Sequence, residues 1–281
     1  MAVVSEAHHS QGNFFFFRLC VSISPMHEKD QKEIIRAARA GGEALRKYFG
    51  KVLTVTEKSM ASDVRTEADI ESEAAVIKIL EKAFPSYNIF SEECGMISKN
   101  SEYTFYIDPL DGTNNFALGI PNFSVSIALV RKTETIFGLV YLPITDLLYH
   151  AVKGGGAFCN KQKLSISTEK DLARSTSAFE CGYNCPKPFI IKIIGNLSRR
   201  TKRVLVNWSV ASDLCLLAAG KVETIVSRKT ELHDFLAGKL IAREAGSIVT
   251  DFKGKAEKND LNRMFLVSSN SDIHRKVLPL L

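Results

Sequence analysis

Beyond Met26 the chain reads HEKDQKEIIRAARAGGEALRKYF, where Ile34, Ile35, Ala38, Leu45 and Phe49 recur at helical spacing, so a first helix is predicted to begin just past that methionine. The Gly41-Gly42 pair weakens that helix, since glycine gives up more backbone freedom on ordering than other residues. Thr66 precedes EADIESEAAVIKILEKAF. A hydroxyl that caps free amides, followed by acidic residues suited to the positive end of the helix dipole, predicts a second helix with Asp69 in its first turn. Short strands are expected over 87–90, running into Ser91-Glu92-Glu93, and over 103–107, running into Asp108. The alternating runs SVSIALVR and TIFGLVYL, joined through Lys132-Thr133-Glu134, predict an antiparallel hairpin that LLYHAV continues. Gly154, Gly155 and Gly156 read as a turn, because the Gly-Lys-Ser/Thr ending of a phosphate loop is missing and Ala157-Phe158 resumes a strand pattern. Strands over 224–226 and 264–267 then alternate with helices over 188–197, 209–219 and 235–245, the last begun by Asp234, which gives a mixed, layered α/β architecture.

Composition narrows the class. With 45% hydrophobic and 24% charged residues, 17 Gly and 8 Pro, the 281-residue chain is neither disordered nor low-complexity. No apolar run reaches the ~18 residues of a membrane span, so no membrane partner is expected. In the first 25 residues, the apolar knot Phe14 to Phe17 is preceded by Glu6 and interrupted by Arg18, unlike a signal peptide. Residues 1–25 are read as a tail, disordered or the product of start-codon choice, ahead of a working unit over 26–281 with halves near 26–160 and 161–281. The formal charge of +6 is spread out, and the dense cluster Arg199, Arg200, Lys202 and Arg203 lacks interleaved aromatics, so no nucleic-acid partner is expected. The six cysteines form no C-x-x-C pair, and Cys181 and Cys185 have no histidine closer than His150, which argues against zinc and for reduced thiols in the cytoplasm.

The candidate chemistry lies in Phe105-Tyr106-Ile107-Asp108-Pro109-Leu110-Asp111-Gly112-Thr113-Asn114-Asn115-Phe116. A strand delivers Asp108, Pro109 fixes a turn, and Asp111 follows three residues on, where both carboxylates can aim at one point. Oxygen ligands without a nearby His or Cys favour Mg²⁺ over zinc. Gly112 permits tight backbone geometry, and Thr113-Asn114-Asn115 would open a helix whose free N–H groups hold a phosphate. Glu92, Asp69 and Asp234 also fall at element ends, where catalytic groups of open α/β sheets sit.

These residues resemble the inositol monophosphatase-like family of Mg²⁺-dependent phosphatases. The matching stretches are Lys58, Thr66-Glu67-Ala68-Asp69, Ser91-Glu92-Glu93, Asp108-Pro109-Leu110-Asp111-Gly112-Thr113, Lys153-Gly154-Gly155-Gly156-Ala157-Phe158 and His233-Asp234-Phe235-Leu236-Ala237-Gly238, with Glu244-Ala245-Gly246 beyond, all in family order. The resemblance implies an α-β-α-β-α sandwich of the sugar phosphatase type with two coupled subdomains, a homodimer, sensitivity to Li⁺, and two or three Mg²⁺ ions. It also implies that Glu92, Asp108 and the Leu110 carbonyl hold one ion, and that Asp108, Asp111 and Asp234 hold another. Asp69, Glu92 and Thr113 would orient and activate the attacking water, and Leu110, Gly112, Thr113 and Asp234 would meet the substrate.

The chain departs from the family pattern in three places. His233 replaces the usual Trp and is expected to pack or to support a ligand; Trp208 replaces a Gly and reshapes the pocket. Ser227 replaces a sugar-contacting Glu, within the basic stretch Ser227-Arg228-Lys229, where Arg228 or Lys229 would meet a second phosphate. The expected function is hydrolysis of a small phosphate ester, an inositol phosphate or a related sugar or polyol phosphate. The alternatives are a 3′(2′),5′-bisphosphate nucleotidase, a fructose-1,6-bisphosphatase or a histidinol-phosphatase of the same family, and, from another class, a silent metal- or phosphate-binding regulator.

Overall fold

The computed structural model describes residues 26–51, 54–59 and 63–281, so the expectations for 1–25 lie outside the described residues. The first part runs α1 (Glu28–Tyr48), β1 (Val55–Glu57), β2 (Val64–Thr66), α2 (Glu67–Ala83), β3 (Asn88–Ser91), β4 (Gly95–Ile97), β5 (Tyr103–Asp111) and α3 (Thr113–Ala117). It continues with β6 (Ser124–Arg131), β7 (Glu134–Leu142), β8 (Leu147–Val152), β9 (Gly156–Cys159) and β10 (Gln162–Lys163). The remainder runs β11 (Thr176–Cys181), α4 (Lys187–Ser198), β12 (Arg203–Leu205), α5 (Val210–Ala218), β13 (Thr224–Arg228), α6 (Leu232–Glu244), β14 (Ile248–Thr250), β15 (Met264–Ser268) and α7 (Ser271–Val277).

Strands β3 to β10 form an eight-stranded sheet in the order β10-β9-β8-β7-β6-β5-β3-β4, and a five-stranded sheet follows in the order β12-β11-β13-β15-β14. The two-residue strand period sorts each sheet's side chains onto opposite faces. In β6, Val125, Ile127 and Leu129 join Ile34, Leu45, Val76 and Leu80 of α1 and α2. Ala128 and Val130, on the other face, join the cluster of Leu214 on α5 and Phe235 and Ile241 on α6. The smaller sheet repeats this pattern: Ile225 and Phe265 face α5 and α6, while Val226 and Leu266 face Ile193 of α4 and Ile273 of α7. The result is the expected sandwich: helices, sheet, helices, sheet, helices.

The Gly41-Gly42 pair does not break α1, because the tertiary packing needs it. A Cβ on Gly41 would stand 2.8 Å from Val76 Cγ2, and one on Gly42 would stand 2.5 Å from the Tyr141 ring. Helix α6 starts at Leu232, ahead of the expected 235, because Glu231 caps it and the Asp234 carboxylate accepts the Glu231 amide in a capping box. Among the described residues no helix is long and apolar enough to cross a membrane.

Candidate metal centre and active site

Strands β3 and β5 are parallel neighbours, so their carboxyl ends open on one edge, and the Glu92 amide donates to the Ile107 carbonyl there. β5 runs past Asp108, and its register against β6 shifts between Asp108 and Asp111, a bulge that turns both carboxylates toward the same end. Gly112 then takes φ +94°, and a Cβ there would meet the Asn122 carbonyl oxygen at 2.9 Å, so only glycine fits. Asp234 reaches the same cavity from the first turn of α6.

This cavity, of about 820 Å³, is lined by Glu92, Asp108, Leu110, Asp111, Gly112, Thr113 and Asp234, so the structure gathers these predicted residues in one place. Asp69 stands fully buried behind them. Its Oδ2 accepts from the Thr66 amide (2.8 Å) and hydroxyl (2.6 Å), and its Oδ1 lies 3.1 Å from the Thr113 hydroxyl. Thr113 Oγ1 also lies 3.0 Å from the Leu110 carbonyl oxygen, so its single proton serves one acceptor at a time.

Burial of so many acids is costly. Desolvation, with Glu92, Asp111 and Asp234 nearby, holds Asp108 well above the usual carboxylate range. Asp111 is pushed up to about 7 by burial, although the Ser209 and Ser124 hydroxyls donate to it. Asp69 rises to about 6, again through burial, against the bonds from Thr66. Two protein cations offset part of this. Burial works against the Lys58 ammonium, yet Glu92, at 2.8 Å, and Glu93 raise its pKa well above the ordinary lysine value. His233 Nε2 lies 3.1 Å from Asp234 and 4.0 Å from Glu92; burial opposes its charge, but Asp234 and then Glu92 bring it to about 9.

One donor atom from each of Glu92, Asp108 and His233 lies within 4.8 Å of the others, close enough to hold a metal ion once His233 has given up its proton. Six carboxylates, those of Asp63, Glu92, Asp108, Asp111, Glu231 and Asp234, line the cavity, and buried carboxylates need a compensating charge. This donor set fits a hard divalent cation.

Ser227 and Arg228 are not brought to the cavity wall. Ser227 is fully buried, its hydroxyl 3.0 Å from that of Thr230, and the Arg228 guanidinium lies 4.4 Å from the Phe189 ring centroid. Both belong to strand β13 rather than to a loop, and Lys229 and Arg263 line the cavity instead. Sequence reasoning missed the supports. Ser72 donates to the Pro109 carbonyl (2.7 Å), and Glu73 accepts the Glu93 and Cys94 amides (3.1 Å each), fixing the turns behind Asp108 and Glu92. Asp69, Ser72, Glu73 and Val76 share the buried face of α2, so polar residues interrupting an apolar stripe were the available signal.

A five-layer α/β sandwich with an acidic, strand-end site defines the layered sugar-phosphatase class of folds. The chain belongs to the inositol monophosphatase family, which it matches over residues 26–281. It is 39% identical over 225 residues to the Nus factor SuhB of Pasteurella multocida, covering 78% of this chain and 84% of that protein. It is 34% identical over 247 residues to the fructose-1,6-bisphosphatase/inositol-1-monophosphatase of Thermotoga maritima, covering 87% and 92%. Among solved structures, the suhB extragenic suppressor protein of Bartonella henselae aligns with TM-score 0.84 at 30% identity, over 90% of this chain and 98% of that one. An inositol monophosphatase of Thermotoga maritima aligns with TM-score 0.82 at 32% identity, over 90% and 96%.

Proposed function

We propose that the protein is a Mg²⁺-dependent phosphomonoesterase acting on a small phosphorylated alcohol, an inositol phosphate or a related sugar or polyol phosphate. The observation that carries this reading is the Asp69–Thr113 contact set against the Asp108, Asp111, Glu92 and Asp234 oxygens on one cavity. Glu92, Asp108 and the Leu110 carbonyl would hold one ion, and Asp108, Asp111 and Asp234 another. Bound there, the ions would lower the pKa of water and neutralise charge on the phosphoryl oxygens. The chain's own groups do the rest. The Thr113 hydroxyl orients the attacking water and takes a proton from it as it gives its own to Asp69 Oδ1, burial giving Asp69 the proton affinity to accept it; the P–O bond to the alcohol breaks, and the departing alcohol oxygen takes a proton from solvent water. The Gly112 and Thr113 amides donate to the phosphate, and Ser124 and Ser209 keep Asp111 aimed.

The test is phosphate release from myo-inositol 1-phosphate, fructose 1,6-bisphosphate and a 3′,5′-bisphosphate nucleotide. Turnover should require Mg²⁺, cease with a chelator, yield to Li⁺, and fall at least ~100-fold in Asp111→Asn. Turnover in a chelator would end the proposal. The Nus-factor name of the Pasteurella relative favours a second reading, a regulator with a silent site. Metal binding with no turnover on any ester would support it. A homodimer in the cytoplasm belongs to the same proposal, and sedimentation of the purified protein measures the first part.

A further inference from the structure

Trp208, the single tryptophan, lines the acidic cavity, is 53% exposed and sits at φ +54°. A bulky residue in the left-handed region is strained, and such strain persists only where the surroundings over-determine it. Both neighbours of Trp208 supply that constraint. The Asn207 carbonyl accepts from the side-chain amides of Asn115 (2.7 Å) and Asn122 (3.3 Å). Its own side-chain amide donates to Asp213 (2.6 Å), and its backbone amide to Glu180 (3.3 Å). On the other side, the Ser209 hydroxyl donates to Asp111 itself. The indole is thus carried on a rigid strap, one residue from the Ser209 side chain that bonds Asp111.

Tyr183 is a second aromatic on the same cavity, 52% exposed. Among the described residues, neither ring stacks on another aromatic or under a cation. A ring carried on a rigid strap and left bare beside a phosphate site is the arrangement on which a flat heterocycle stacks.

We propose that Trp208 is a stacking platform for the alcohol portion of the substrate, selecting a phosphate ester that carries a flat aromatic heterocycle, such as a nucleoside monophosphate, over its ring-free counterpart. This rests on the phosphatase reading of the site and refines its substrate class.

Adenosine 5′-monophosphate and ribose 5-phosphate present the same sugar and differ by the base alone. With Mg²⁺, kcat/KM should favour the nucleotide. Trp208→Gly, which suits the left-handed backbone, should lower that preference about tenfold through KM, with a far smaller effect on ribose 5-phosphate than on the nucleotide, while Trp208→Phe keeps most of the preference. Because Trp208 is the only tryptophan, its fluorescence reports directly. Adenosine with inorganic phosphate should quench it, and ribose with inorganic phosphate should not. An unchanged preference in Trp208→Gly, an equal loss on both esters, or fluorescence that follows protein dilution instead of adenosine would overturn the platform. Absence of turnover on every ester would remove the enzymatic reading, and the fluorescence arm would still decide the platform.

Discussion

At Asp69 the carboxylate accepts bonds from Thr66 and faces Thr113, and substitution by Asn keeps the shape while removing the base. Asp69→Asn should lower kcat about 100- to 1,000-fold with KM nearly unchanged, as steady-state assays would show. Asp111 gives a pH prediction. Its ordinary value is 3.8, and burial lifts it to about 7, so between these values the folded chain holds a proton that the unfolded chain has released. Folded stability from this group therefore falls as pH rises through that window, and a bound divalent cation removes the penalty. Added Mg²⁺ should raise Tm by several degrees at about pH 8 and by much less at about pH 5; equal shifts would contradict this. The acids themselves were legible, since Asp108, Asp111 and Thr113 share one segment and Glu92 and Asp234 end elements. Ser209, whose hydroxyl reaches Asp111 across 98 residues of chain, was not. Ser227 and Arg228 were misplaced because the depth of a strand position depends on which layers cover it, and no local pattern carries that.

Helices were legible where their own chemistry sets them, as with the Thr66 cap and the acidic first turn of α2. They were less so where a distant neighbour decides. The Gly41-Gly42 pair reads locally as a weakness, yet α1 packs there against α2 and the large sheet at a distance only glycine allows. Gly42→Ala would push a methyl into the Tyr141 ring, and thermal or urea unfolding should register a loss of about 1–3 kcal/mol. The early start of α6 has a similar origin. Glu231 is an uncommon cap, and its pairing with Asp234 makes the fourth acid of the site also the lock of its own helix. Removing that carboxylate should weaken the helix terminus as well as the cation site.

Across the whole molecule, α6 lies between the sheets and is buried along most of its length. Lys239 within it is fully buried, 3.2 Å from Glu257 and bonded to the carbonyls of Asp260 (3.1 Å) and Asn262 (2.9 Å), while Arg243 joins Glu257 and Asp260. Asp260 in turn accepts the Thr135 amide at the start of β7. Lys239→Met would strand partners of a buried charge, and unfolding should show a loss of about 3–5 kcal/mol; a neutral outcome would mean that Arg243 alone satisfies Glu257. Nothing in the local sequence marks Lys239 as buried, because its partners come from a loop about twenty residues downstream.

That helix has a consequence for the chemistry. Glu92 and Asp108 ride on the large sheet, whereas Asp234 rides on the helix wedged between the layers. The span between the acids is therefore a caliper of the gap between layers. Cation affinity becomes a gauge of global packing, and a core substitution far from the cavity would be noticed first as a detuned ion.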